Sequence, residues 1–204
     1  QKDILVIDTR SKESYINEGT VPGSWYIGID GNFAPWVGAI ILDINQKIIF
    51  ITDDELRVNE IVTRFSRVGY DQTLGYLNGG LTDWKAKGFD VDYISSISAD
   101  KFTNMLAKGS VEKPIDVRRE SEYLSEHVLG VENFPLDFIH TNFVEIDPKN
   151  EYFLHCKTGY RSLIASSIFK ANGVKKVTDI RGGYEAIKET KAVLSAFVCP
   201  TTIL

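Results

Sequence analysis

Short apolar runs of four or five residues alternate with longer amphipathic stretches along the whole chain, and the same order comes round twice. Residues 4–7, 48–51 and 74–77 read as strands, being rich in β-branched and aromatic side chains and too short for helices. Helices are expected over 12–17, 55–68 and 81–87. In the second half a helix over 99–108 opens after Ser98, a suitable N-cap, and a strand over 114–117 follows. Then come a helix over 121–126, a strand over 152–155, a helix over 162–171 and a strand over 176–180. Alternation of buried strands with amphipathic helices predicts an α/β fold, each half a mainly parallel sheet with helices on both faces. The polar stretch 92–98, which has serines and no sustained pattern, reads as a linker.

Residue-level matches make the two rounds copies of one domain. Ile7-Asp8-Thr9-Arg10 answers Ile115-Asp116-Val117-Arg118, and Ser14-Tyr15 answers Glu122-Tyr123. Arg57 answers Arg161, Gly69 answers Gly173, and Gly79-Gly80 answers Gly182-Gly183. The expected domains are 1–94 and 98–204, and a chain of 204 residues is comfortable for two of roughly 100 each. A hydrophobic fraction of 43% and a charged fraction of 25% are those of ordinary globular domains. A net charge of −5 without a Lys/Arg-rich cluster argues against nucleic acid as a partner. The longest apolar patch, 36–42, is too short to span a bilayer, no signal peptide is visible, and no membrane partner is expected. Two cysteines far apart, Cys156 and Cys199, suit a reducing compartment, and a cytoplasmic location is expected.

The chemistry concentrates in His155-Cys156-Lys157-Thr158-Gly159-Tyr160-Arg161-Ser162, which follows an apolar strand. In the helix expected next, Leu163, Ile164, Ile168 and Phe169 recur at helical spacing, and Asn172-Gly173 closes it as a C-terminal cap. Cys156 therefore stands in a tight loop at a helix N-terminus. Unpaired backbone N–H groups and the positive end of the helix dipole point into that loop, and Lys157 and Arg161 add two charges beside the sulfur. All three effects favour the thiolate, which is the nucleophile. Free cysteines usually pack as small hydrophobes, but a packed cysteine is seldom followed by a polar run with a glycine where the chain must turn. Cysteine-dependent phosphatases place five residues between Cys and Arg, whereas only four separate Cys156 from Arg161. The smaller cradle leaves less room for a tetrahedral oxyanion and suits a sulfane sulfur carried on Cys156.

These residues resemble the rhodanese sulfurtransferase superfamily, whose active loop commonly reads Cys-x-x-Gly-x-Arg-Ser. Asp116-Val117-Arg118, Glu122-Tyr123, His127 and the Arg181-Gly182-Gly183-Tyr184 turn match further family marks, although His127-Val128-Leu129-Gly130-Val131 lacks the family's proline. The resemblance implies a sulfurtransferase with two rhodanese-like domains. Cys156 would take sulfur from thiosulfate or a persulfide and pass it to a thiol acceptor. Arg161 and Lys157 would hold the donor's charge, and the N–H groups from Lys157 through Thr158, Gly159 and Tyr160 to Arg161 would cradle the persulfide. Asp116 and Arg118 are either a structural ion pair or donor contacts, and Tyr160 either walls the pocket or packs on the loop. Sulfur transfer from a thiolate needs no general base, so His155 is expected in the core and His127 as a hydrogen-bonded scaffold residue.

The first copy keeps scaffold signals such as Val21-Pro22-Gly23-Ser24, yet its loop reads Ile51-Thr52-Asp53-Asp54-Glu55-Leu56-Arg57 and has no nucleophile. Asp53, Asp54 and Glu55 are read as a solvated helix turn, since adjacent carboxylates do not point at one cation. The second copy begins with a helix, 99–108, that the first lacks, which suggests a piece of a longer chain. The pairing of Phe33-Ala34-Pro35-Trp36-Val37-Gly38 in the first copy with the His155-Cys156 to Arg161-Ser162 loop in the second resembles the C-terminal part of metallo-β-lactamase-fold proteins fused to tandem rhodanese domains, among them persulfide dioxygenases. An upstream metallo-β-lactamase-fold domain is therefore an expected partner. This chain has no His-x-His-x-Asp-His motif, and neither metal nor cofactor is expected in it.

Overall fold

The computed structural model describes residues 3–199, which divide into two compact units with the boundary between Tyr93 and Ile94. Unit 1 runs β1 (Ile4–Asp8), α1 (Lys12–Glu18), β2 (Trp25–Tyr26), α2 (Phe33–Ile40), β3 (Lys47–Ile51), α3 (Val58–Ser66), β4 (Thr73–Tyr76) and α4 (Gly80–Ala86). Its strands form one parallel sheet in the order β2-β1-β3-β4. Unit 2 runs β5 (Ser95–Ile97), α5 (Ala99–Ala107), β6 (Lys113–Asp116), α6 (Glu120–Ser125) and β7 (Glu132–Asn133). It continues with α7 (Ile139–Asn142), β8 (Glu151–His155), α8 (Tyr160–Ala171), β9 (Lys176–Ile180) and α9 (Gly183–Lys188). The order of its parallel sheet is β5-β9-β8-β6-β7.

The central strands are pieces of core. In β3 Ile48, Phe50 and Ile51 are buried, and in β8 every residue after Glu151 is buried. Burial of such side chains contributes about 1.5–3 kcal/mol apiece, which outweighs the modest intrinsic preference of the strand. Phe65 of α3 packs on Phe33 and Phe50, with ring centroids at 4.9 and 6.4 Å. In unit 2 the same place is taken by Phe169 of α8, which meets Phe134, Phe143 and Tyr152 edge-on at 5.7, 5.3 and 5.3 Å. Helix α8 is buried from Ser162 to Phe169, so its N-terminal end is fixed from several sides.

Two expectations are corrected. The stretch 92–98 does hold the boundary between the units, but most of it belongs to one unit or the other: Asp92 bridges to Thr20, Ser95–Ile97 is the edge strand β5 paired with β9, and Ser98 caps α5. The edge position explains the misreading, because a strand with one free side tolerates serines that a central strand would not. The patch 36–42 lies largely within α2, whose Phe33, Trp36, Val37 and Ile40 point inward at helical spacing, with Pro35 tolerated in the first turn. The helix expected over 55–68 begins as a 3-10 turn, Glu55–Arg57, and becomes α-helical only from Val58. Among the described residues no helix is long and apolar enough to cross a membrane.

Candidate active site

In unit 2 the chain leaves β6 for one side of the sheet and returns to lay β8 on the other, so the strand order switches between these two. Ligands of open parallel sheets sit at the carboxyl end of such a switch. There β6 delivers Asp116 and Arg118, while β8 delivers His155 and Cys156. Cys156 is 1% exposed and begins a loop that ends at Gly159, whose φ of 100° permits the abrupt entry into α8. The loop folds back on its own sulfur. Gly159 donates its N–H to Cys156 Sγ at 3.2 Å, and Ser162 Oγ lies 3.7 Å from the same atom. The other side of the loop is held by α9, where the N–H groups of Tyr184 and Glu185 donate to the carbonyls of Cys156 and Lys157 at 2.7 and 3.1 Å. A Cβ on Gly183 would strike both carbonyl oxygens, so that position has room only for hydrogen.

The two cations expected beside the sulfur are both engaged by carboxylates. Arg161 gives Nη1 and Nη2 to Glu122 Oε2 and Oε1 at 2.5 and 2.9 Å, a bidentate pair. Lys157, more than half exposed, sits 3.8 Å from Glu185. Thr158 is exposed, and Tyr160 is half-buried as the first residue of α8. Of the two readings of Arg118, its contacts are those of a structural brace. Its Nη2 donates to Asp116 at 2.7 Å and to the Glu126 carbonyl at 2.9 Å, and its guanidinium lies 3.8 Å over the Tyr184 ring. Tyr184 in turn donates its hydroxyl to Glu126 at 2.6 Å.

His155 is a core histidine. It is fully buried, Nδ1 is 3.3 Å from the Cys156 carbonyl, and Nε2 has no partner. Burial pulls its imidazole below the ordinary value, against an opposing attraction from Asp116, and the neutral ring fits that setting. His127 is the scaffold residue it was expected to be, with Nδ1 2.8 Å from the Tyr123 carbonyl and its ring stacked on Tyr123.

Sequence reasoning missed Asp179. It is 1% exposed on β9, and its Oδ1 receives the Ser162 hydroxyl at 2.6 Å. The signal was present: one acidic residue inside the otherwise uncharged run Val177-Thr178-Asp179-Ile180. Ser162 itself was visible only as the last letter of the loop.

The corresponding end of unit 1 keeps the brace and has no cysteine. Asp8 and Arg10 form the same buried pair at 2.8 Å. Thr52 stands in place of Cys156, and its hydroxyl donates to the Asp54 carbonyl at 3.1 Å. Arg57 bonds Asp30 and Glu60, Asp53 lies 3.6 Å from Arg10, and Asp54 caps the turn at Leu56. Among the described residues no group of His, Cys, Asp and Glu is arranged to hold a metal ion.

Comparison with known proteins adds to this geometry. The family model of the rhodanese-like domain matches residues 1–87 and again 98–190. The chain is 31% identical over 71 residues to the uncharacterized protein YqhL of Bacillus subtilis (strain 168), covering 35% of this chain and 56% of that one. It is 30% identical over 90 residues to the putative sulfur carrier protein YrkF of the same organism, covering 44% of this chain and 49% of that one. The chain thus spans about half the length of the curated relatives it matches. Among solved structures, a rhodanese-like domain protein from Staphylococcus aureus aligns with a TM-score of 0.45 at 23% identity, over 50% of this chain and 100% of that one. A thiosulfate sulfurtransferase from Pseudomonas aeruginosa aligns with a TM-score of 0.41 at 16% identity, over 97% of this chain and 42% of that one.

Proposed function

Because the chain belongs to the rhodanese-like domain family in both of its halves, we propose that unit 2 is a sulfurtransferase that carries sulfane sulfur as a Cys156 persulfide. The observation that carries this reading is the buried Cys156 Sγ, held in a loop whose own Gly159 N–H is turned onto the sulfur at 3.2 Å. In the reaction the thiolate attacks the outer sulfur of thiosulfate or of a persulfide. A new S–S bond forms at Cys156, the donor's S–S bond breaks, and sulfite or a thiolate leaves with the electron pair. A thiol acceptor then attacks the outer sulfur and releases Cys156. Neither step needs an external oxidant or reductant. Backbone donors of the loop, Lys157 through Arg161, stabilise the charge on the bound sulfur, and the side chains of Lys157, Thr158 and Tyr160 are the loop's contacts to the donor. Donor charge is met by Arg161 and Lys157 in exchange for Glu122 and Glu185.

A carrier role is the second reading. The name of YrkF supports it, and so does the near-complete burial of Cys156, which suits storage of sulfur until a partner opens the loop. A metallo-β-lactamase-fold domain is the proposed partner in that case, and a reducing, cytoplasmic setting is proposed for either role. Intact-mass measurement after exposure to thiosulfate or glutathione persulfide is the test. We expect a gain of one sulfur atom that Cys199→Ser keeps and Cys156→Ser abolishes. Loading that survives in Cys156→Ser overturns both roles, and loading without repeated turnover selects the carrier.

A further inference from the structure

We propose that Ser162 and Asp179 form a proton relay that takes the proton from Cys156 when the thiolate is made. The inference rests on Cys156 being the nucleophile. Ser162 Oγ lies between the two acidic groups, 2.6 Å from Asp179 Oδ1 and 3.7 Å from Cys156 Sγ. Ser162, Asp179 and Cys156 are all 1% exposed or less. A hydroxyl has a single proton, and the short approach to a carboxylate claims it. The serine lone pairs are then free to accept the thiol hydrogen.

The relay is balanced. The Cys156 Sγ–H bond breaks as Ser162 Oγ takes that proton, and the proton already on Ser162 passes to Asp179 Oδ1. A thiol and a carboxylate become a thiolate and a carboxylic acid, and Ser162 ends by donating to the sulfur. The buried cluster carries one negative charge before and after. That conservation matters, because two anions sharing one buried hydroxyl would oppose each other's ionisation. Such a device is useful here, since the cations expected to stabilise the thiolate are paired with Glu122 and Glu185.

Unit 1 provides an internal comparison. Aligned through Arg57 with Arg161 and Gly79-Gly80 with Gly182-Gly183, its loop places Thr52 at Cys156, Val58 at Ser162 and Tyr76 at Asp179. The Asp8–Arg10 brace is kept, while all three members of the relay are absent together.

The test is the rate at which iodoacetamide alkylates Cys156 at neutral pH, read by mass spectrometry on the full chain. Asp179→Asn is isosteric and still accepts the Ser162 hydroxyl, but it cannot take a proton. Removal of the neighbouring negative charge would by itself speed alkylation, whereas loss of the relay slows it by about tenfold or more. Ser162→Ala is expected to be slowed similarly, and Ser162→Thr to recover more of the rate than Ser162→Ala. In sulfur loading, the maximal rate is expected to fall with no change in half-saturating donor. Alkylation of Asp179→Asn at the parent's rate or faster overturns the relay. Should Asp179→Asn not fold, equal rates for Ser162→Ala and the parent do the same. Because alkylation needs no sulfur donor, these outcomes are independent of whether Cys156→Ser loses sulfur transfer.

Discussion

Glu122 pairs with Arg161, the half-buried cation of the Cys156 loop, from outside that loop. Burial pushes its carboxyl up, but the hydrogen bonds and charge of Arg161 pull it down further, so the folded state ionises below the ordinary 4.5. A carboxyl with a lowered folded pKa contributes stability that is fully present above the unfolded value and is lost as pH falls through the folded one. Denaturant midpoints are therefore expected to fall from about pH 5 downward, and Glu122→Gln to flatten that fall. A slope unchanged by Glu122→Gln would remove the pair from the acid response. Sequence made Arg161 legible because it is near Cys156 along the chain. It did not reveal that the guanidinium is committed to a residue 39 positions away. The same limit hid Asp179, whose meaning depends on Ser162 across the gap between α8 and β9. The Asp116–Arg118 brace was legible because partners two residues apart at a strand end need no tertiary contact to meet.

Among the elements, α9 is the one that holds the reactive loop in shape. Its Gly182-Gly183 start was readable as a turn, yet only packing shows that the first N–H groups of α9 grip the Cys156 and Lys157 carbonyls. Gly183 has a φ of 58°, and any Cβ there meets the Lys157 oxygen at 2.7 Å. Gly183→Ala is expected to cost more than the ~1–2 kcal/mol of a left-handed alanine and to slow sulfur loading. Gly109→Ala is the control, since its φ of 65° is similar while nothing lies within 4 Å. Equal losses in the two variants, by denaturant titration, would mean that the loop contact adds nothing. Central strands and α8 were legible because their apolar residues repeat at the period of the element. The edge strand β5 was not, since it is half-solvated, and α2 was hidden because Pro35 and Gly38, poor helix formers on its exposed face, mask the helical spacing of its apolar residues.

At the scale of the whole chain, two copies of one fold share a scaffold and differ at the Cys156 loop. The shared part is what folding requires: the parallel sheet, the buried Asp–Arg pair at the end of the first strand of the repeat, and the glycine pair before the last helix. The unshared part is a cysteine, a serine and an aspartate that fall on three separate elements of unit 2. On this view unit 1 cannot be restored by supplying a nucleophile alone. Thr52→Cys in a Cys156→Ser background would place a thiol beside Asp53 and Asp54, with Val58 and Tyr76 where the relay belongs. The nearby carboxylates oppose both the thiolate and an anionic donor. The expected result is a folded protein whose introduced thiol gains no sulfur within the time unit 2 of the parent is fully loaded. Adding Asp53→Lys and Asp54→Thr should raise loading by removing the repulsion, and adding Val58→Ser and Tyr76→Asp should raise it again by supplying the relay. Each step is read by intact mass after thiosulfate or glutathione persulfide. Rapid loading of the Thr52→Cys protein without the further changes would show that position in the fold, and not the surrounding charge and proton path, makes the cysteine reactive.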